Sequence, residues 1–89
     1  MPVKNLEFDI HAFEDLEWWV EHDRKMAIRI LKILREIQRT PFEGTGQPEP
    51  LKHELEGCWS RRINQEHRLV YQVLEKEDRI RILACRYHY

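Results

Sequence analysis

The sequence has no apolar run near the ~20 residues that a membrane-spanning helix requires, which excludes a transmembrane helix. Its first residues, Met1-Pro2-Val3-Lys4-Asn5, lack the apolar core of a secretory signal, and a cytoplasmic protein is expected. Cysteine is scarce. The two present, Cys58 and Cys85, form neither a CxxC pair nor a Cys/His ligand spacing, so no metal centre is expected. Two small core thiols in a reducing compartment fit better than a disulfide. Internal repeats, low-complexity tracts and linkers are missing as well. Eighty-nine residues leave room for one modest core, and a single domain over residues 1–89 is expected. With 42% apolar and 35% charged residues, the chain has the make-up of a well-solvated globular protein rather than a disordered one.

A large charge of one sign is also missing. The net charge of −1 argues, taken whole, against a nucleic-acid partner. The two halves differ, however. Residues 1–50 carry seven basic and ten acidic side chains, whereas residues 51–89 carry eight basic and six acidic ones and three of the five histidines. A water-facing first half and a second half able to meet an anion are expected.

What is present divides at a loop. Leu6-Glu7-Phe8 suggests a short first strand, followed by Asp9 as an N-cap. Phe13, Leu16 and Val20, with Trp19 beside them, step by three and four, which predicts one face of a helix broken at His22-Asp23. A second helix carries Met26, Ala27, Ile30, Leu31, Ile33, Leu34 and Ile37 on an apolar stripe and ends at Thr40-Pro41. TPFEGTGQPEP (40–50) reads as a loop. Beyond it the period becomes two, in LKHELEG, CWSRRIN, HRLVYQVLE and RIRILACRYHY, with short turns between them. The fold class expected is α+β: an N-terminal strand and two helices packed on one face of a mostly antiparallel sheet. Leu34, Ile37, Leu69, Val73 and Leu83 are expected to be mostly buried. Trp59, Tyr71 and Tyr87 read as core or face-packing aromatics. The last residues, Arg86-Tyr87-His88-Tyr89, place three rings and a cation where chains usually fray, so an ordered end is expected.

Several side chains suit acid–base work. A hairpin centred on Gln65 puts Arg62 directly opposite Arg68 on one face, where two cations repel unless an anion sits between them. A loop of another length would splay both into solvent. An odd residue count in the Lys76-Glu77-Asp78 turn would bring His88 to the face of Arg68, as a proton donor near neutral pH. Glu49 lies between Pro48 and Pro50, which hold its backbone extended, and suits a general base. Lys52 and His53 add a cation and a ring. Each has an ordinary surface reading when taken singly. Together they make a kit for metal-free RNA cleavage: a base for the ribose 2′-hydroxyl, cations for the phosphorane and an acid for the departing 5′-oxygen.

Four blocks in this order, PEPLKH (48–53), GCWSRRI (57–63), EHRLVY (66–71) and CRYHY (85–89), resemble the YoeB/Txe family, a branch of the RelE-like toxins of bacterial toxin–antitoxin systems. The resemblance is close over residues 39–73 and 84–89, and the two-helix segment agrees in order and length. It implies a RelE-like microbial RNase fold and a ribosome-dependent endoribonuclease that cuts mRNA in the A site without cofactor or metal. It implies Glu49 as general base, His88 as general acid and Arg68 as transition-state stabiliser. Lys52 and Arg62 would lie on phosphate or developing charge, and Tyr89 would occupy an active-site position. The implied partners are a cognate antitoxin of Phd/YefM type folding over Arg62 and Arg68, the ribosome and its mRNA, and operator DNA only through the antitoxin complex; a homodimer is compatible. Thr45 and Gln47 stand where the family loop usually carries lysines, which implies weaker ribosome affinity. Two alternatives stand beside the nuclease. One is a gyrase-binding relative, a class that lacks the proline-flanked glutamate and terminal histidine as a set. The other is a binding module that serves only as the antitoxin's corepressor.

Overall fold

Two helices follow the first strand in the computed structural model, which describes residues 3–87. After strand β1 (Asn5–Phe8) come α1 (Ile10–His22) and α2 (Arg24–Arg39). Asp23 caps α2, its carboxylate accepting the Met26 N–H at 3.3 Å. Ala27, Ile30, Ile33, Leu34 and Ile37 are buried, as the stripe predicts, while Leu31 at its margin is about half exposed. Asp9 stands at the N-cap of α1 with an extended backbone but makes no capping bond. Its carboxylate is taken by Arg81 at 3.0 Å, a charge-assisted bond stronger than a cap to a neutral N–H.

The buried face of α1 is also rotated from the expected one. Ala12, Asp15 and Trp19 face the sheet, leaving Phe13 and Val20 about half exposed. The cause lies on β5 (Arg79–Ala84) and the residue after it. The Cys85 N–H donates to Asp15 Oδ2 at 3.0 Å, and the Trp19 indole N–H donates to the Cys85 carbonyl at 2.7 Å. Two polar groups of the helix thus satisfy both backbone groups of one buried residue, and Ala12, fully buried, permits the close approach.

The sheet runs in the order β1-β5-β4-β3-β2, with β2 (Glu49–Pro50), β3 (Cys58–Arg62) and β4 (Arg68–Leu74). β1 is parallel to β5 and every other pairing is antiparallel. Both helices cover one face, and the core there unites Ile30, Ile33, Leu34, Ile37, Leu69, Tyr71, Ile80 and Ile82. Val73 is only partly buried against it. Leu83 faces the other side, where it packs on a small cluster of Leu51, Cys58 and Val70. Cys58 and Cys85 belong to different clusters and both are free thiols. LKHELEG is not a strand. Pairing stops after Pro50, and His53, at φ +60°, opens a 3₁₀ turn over His53–Leu55. No helix among the described residues is long and apolar enough to cross a membrane.

The 40–48 loop is tied down by Arg61, whose side chain is wholly buried. Its guanidinium donates to Glu36 Oε1 at 2.7 Å and to the carbonyls of Thr40, Glu43 and Thr45 at 2.7, 2.9 and 3.2 Å. Its Nε donates to the Tyr71 hydroxyl, which in turn donates to the Pro41 carbonyl at 2.6 Å. Five N–H directions meet loop and core oxygens, so a buried charge is fully satisfied. Two glycines make the loop possible. Gly44 and Gly46 have φ of +128° and +90°, and a Cβ on either would strike the Glu36 carboxylate or the Arg62 carbonyl.

Replacing Arg61 with Leu strands these oxygens without a donor, and urea unfolding should show a loss of about 3–5 kcal/mol. Glu36 gives a pH signature. Burial alone would raise its carboxyl, but hydrogen bonds from the Thr45 N–H, the Thr45 hydroxyl and Arg61, with that cation's charge, hold it below the ordinary carboxylate range. A lowered carboxylate stabilises above its unfolded value, about 4.3, and that stabilisation disappears as pH falls through the folded value. The gap in urea midpoint between wild type and Glu36→Gln should therefore narrow from about pH 6 to about pH 3. A gap that stayed constant would separate Glu36 from this pH dependence.

Candidate active site

Strand register assembles the polar groups on the sheet face opposite the helices. β2 pairs with β3 so that Glu49 lies opposite Ser60. β3 pairs with β4 so that Ser60 lies opposite Val70 and Arg62 opposite Arg68. Glu49, Ser60, Arg62, Arg68 and Val70 thus share the open face, while Trp59, Arg61, Leu69 and Tyr71 point toward the helices. Directly paired side chains start roughly 5 Å apart and diagonal ones roughly 7–8 Å apart, which places Glu49 on the diagonal of Arg62.

The Arg62–Arg68 pairing follows from the hairpin loop. Asn64 Oδ1 accepts the N–H groups of Glu66 and His67 at 2.9 and 2.8 Å, and the Ile63 N–H reaches the His67 carbonyl. This side-chain turn sets the loop length, centred on Gln65 as the spacing requires. The two cations are managed differently. Arg68 Nη1 donates to the carbonyls of Asn64 and His67 at 2.9 and 3.1 Å, so backbone dipoles at the hairpin tip hold it. Arg62 is exposed, and its side chain has no bonded partner among the described residues.

Glu49 is exposed on its two-residue strand, its backbone held by Pro48, Pro50 and the pairing to β3. The Arg62 N–H donates to the Gly46 carbonyl at 2.6 Å, tying the Glu49 loop to the arginine strand. Lys52 is exposed where strand pairing has ended, so register does not bring it to Glu49 and Arg62 as it does the others. His88 and Tyr89 lie outside the described residues.

The described chain nonetheless ends beside this face. Beyond the clamped Cys85, the Arg86 guanidinium lies 3.6 Å from the Trp18 ring, which stacks on His22. The Tyr87 N–H donates to His67 Nδ1 at 2.6 Å, and the Arg68 N–H donates to the Tyr87 carbonyl at 2.7 Å. Asp15, Trp18, Trp19 and His67 therefore hold the end of the chain, and sequence reasoning singled out none of them for this. The acid at position 15, one turn from both Ala12 and Trp19, was the available signal, since an acid on a buried stripe needs a buried donor.

Neither thiol competes as a nucleophile. Burial pushes Cys85, with the Asp15 charge beside it, up to about 12, and burial raises Cys58. No group of three or more His, Cys, Asp or Glu among the described residues is placed to hold a metal ion.

A family model described as the YoeB-like toxin of bacterial type II toxin–antitoxin systems matches residues 8–89. The chain belongs to that family. It is 51% identical over 87 residues to a protein named toxin YoeB from Mycobacterium bovis, covering 98% of this chain and 100% of the relative. A YoeB/ParE toxin from Agrobacterium tumefaciens superposes with a TM-score of 0.92 at 42% identity, over 96% of this chain and 99% of that one. The YoeB of Staphylococcus aureus has been solved as a dimer (46% identity, TM-score 0.87) and in complex with YefM (45%, 0.85), each over 97% of this chain and 98% of that one. The α+β fold expected of the family is the fold observed.

Like charges directly opposite on a sheet destabilise by roughly 0.2–1 kcal/mol. Arg62→Gln should therefore raise the unfolding free energy of this YoeB-family toxin by that amount, seen as a higher urea midpoint. A lowered midpoint would mean that Arg62 stabilises the free fold.

Proposed function

We propose that this toxin is a ribosome-dependent, metal-free endoribonuclease that cuts mRNA in the A site and so stops translation. The observation that carries the reading is the sharing of one open sheet face by Glu49 and the Arg62–Arg68 pair, with the Tyr87 carbonyl accepting the Arg68 backbone N–H.

In this reading Glu49 removes the proton from a ribose 2′-hydroxyl. The 2′-oxygen forms a bond to the adjacent phosphorus, and the bond from phosphorus to the 5′-oxygen breaks. His88 gives its proton to that oxygen, leaving a 2′,3′-cyclic phosphate and a 5′-hydroxyl. Arg62 and Lys52 meet the phosphate. Arg68 exchanges its carbonyl contacts for the stronger charge-assisted bond to the phosphorane. Tyr89 would supply its phenol to the substrate. The Arg62–Arg68 pair beside Glu49 leaves a cationic excess among these three residues, which favours an anionic occupant over a solvated surface.

The same face suits an inhibitor. An antitoxin of the Phd/YefM type, like the YefM bound to the Staphylococcus aureus relative, would fold an acidic segment over Arg62 and Arg68, and operator DNA would be bound only through that complex. A homodimer, the form in which that relative has also been solved, is compatible with this. The site of action is the cytoplasm.

Single-turnover cleavage on programmed ribosomes tests the proposal. Glu49→Gln and His88→Gln should each slow cutting on the order of a hundredfold or more while leaving the thermal melt unchanged. Wild-type cutting by both variants would remove the acid–base pair. Gyrase inhibition without codon-specific cuts would mark a non-nucleolytic toxin instead.

A further inference from the structure

The residue that leads into His88 is held in an unfavourable conformation by a histidine that the acid–base scheme does not use. Tyr87 has φ +64°, a left-handed conformation costing an aromatic residue roughly 1–2 kcal/mol. Both polar groups of its backbone are engaged by consecutive residues at the start of β4. Its N–H donates to His67 Nδ1 at 2.6 Å, and its carbonyl accepts the Arg68 N–H at 2.7 Å. A backbone N–H can only donate, so Nδ1 offers its lone pair and the ring proton sits on Nε2. The ring is itself fixed, standing edge-on to Trp19 with centroids 4.8 Å apart. Trp19 is anchored in turn through its bond to the Cys85 carbonyl at 2.7 Å.

We propose that His67 is a positioning residue for the cleavage step, setting the direction in which the chain delivers His88 to the leaving oxygen. This rests on the reading of His88 as general acid. Without the Nδ1 acceptor, Tyr87 loses the bond that offsets its strained φ, and the peptide entering His88 relaxes. Misplacing a reacting group by about 1 Å can cost on the order of a hundredfold.

Two substitutions separate the acceptor from the ring. His67→Phe keeps a ring against Trp19 and removes the acceptor. His67→Asn removes the ring and keeps an oxygen where Nδ1 stood. At saturating ribosomes, His67→Phe should cut about 10- to 100-fold more slowly with unchanged half-saturation, and His67→Asn should stay within a few-fold of wild type. If the Phe variant melts early, His67→Ala takes its place with the same expectation. Amide hydrogen exchange at Tyr87 should be protected in wild type and His67→Asn and fast in the variants without an acceptor.

An mRNA with sulfur in place of the bridging 5′-oxygen supplies the decisive comparison, because a thiolate departs without a proton donor. On it, His67→Phe and His88→Gln should both return to near the wild-type rate. His67→Phe cutting the oxygen substrate at the wild-type rate, or remaining slow on the sulfur substrate, overturns the role proposed for His67 and leaves His88 untouched. His88→Gln cutting the oxygen substrate normally removes the general acid, and with it the basis for this inference.

Discussion

A single buried guanidinium, that of Arg61, decides where the carboxylate of this site can stand. The segment from Thr40 to Pro48 has no strand or helix of its own, and its carbonyls find donors on Arg61. Glu49 follows at once, on a strand two residues long that could not hold itself in place. The loop is therefore rigid because of a charge in the core, which in turn tolerates that charge because Glu36 and Tyr71 complete its shell. Arg62, the next residue, points the other way and meets the Glu49 loop through its backbone. Adjacent arginines thus do opposite work: one builds the loop, and the other stands in the face that the loop borders.

The open face is assembled against its own stability. Two cations face each other, Tyr87 sits in a left-handed conformation, and the covering apolar cluster of Leu51, Cys58 and Val70 is small. Opposing costs of this kind gather where a ligand supplies the missing partner. The helix side compensates with an uninterrupted core running from Ala12 to Cys85.

Much of this could be read from the residues. A loop centred on Gln65, one of the two readings the spacing left open, puts Arg62 opposite Arg68 as observed, and the change of period at residue 51 separated helices from sheet. Apolar spacing alone misjudged α1, because it weighs Phe13 and Val20 above Asp15, whereas the burial of Asp15 depends on an N–H seventy residues away. It also read LKHELEG as a strand, since alternation persists there while the backbone turns at His53. Nothing in Ser60-Arg61-Arg62 distinguishes the buried arginine from the exposed one except the parity of a register that only the pairing partner fixes. The shared face of Arg62 and Arg68 was within reach of sequence spacing, whereas the supports around it, side chains meeting backbone across long separations, were not.

Strand order has a consequence for how such a toxin comes into being. β5 is made after the other four strands, yet it lies between β1 and β4. Until it is in place, β1 has no neighbour in the sheet, both strands present unpaired edges, and the helical hairpin cannot be locked to the arginine hairpin. A chain still in synthesis can form the local pairing of β3 with β4 but not the sheet, because the final insertion is the most non-local step of all. The sheet is therefore completed late and in one step, by the strand whose exit is clamped by Asp15 and Trp19. A nascent chain short of that point is an open sheet, with β1 and β4 each lacking the neighbour that joins them.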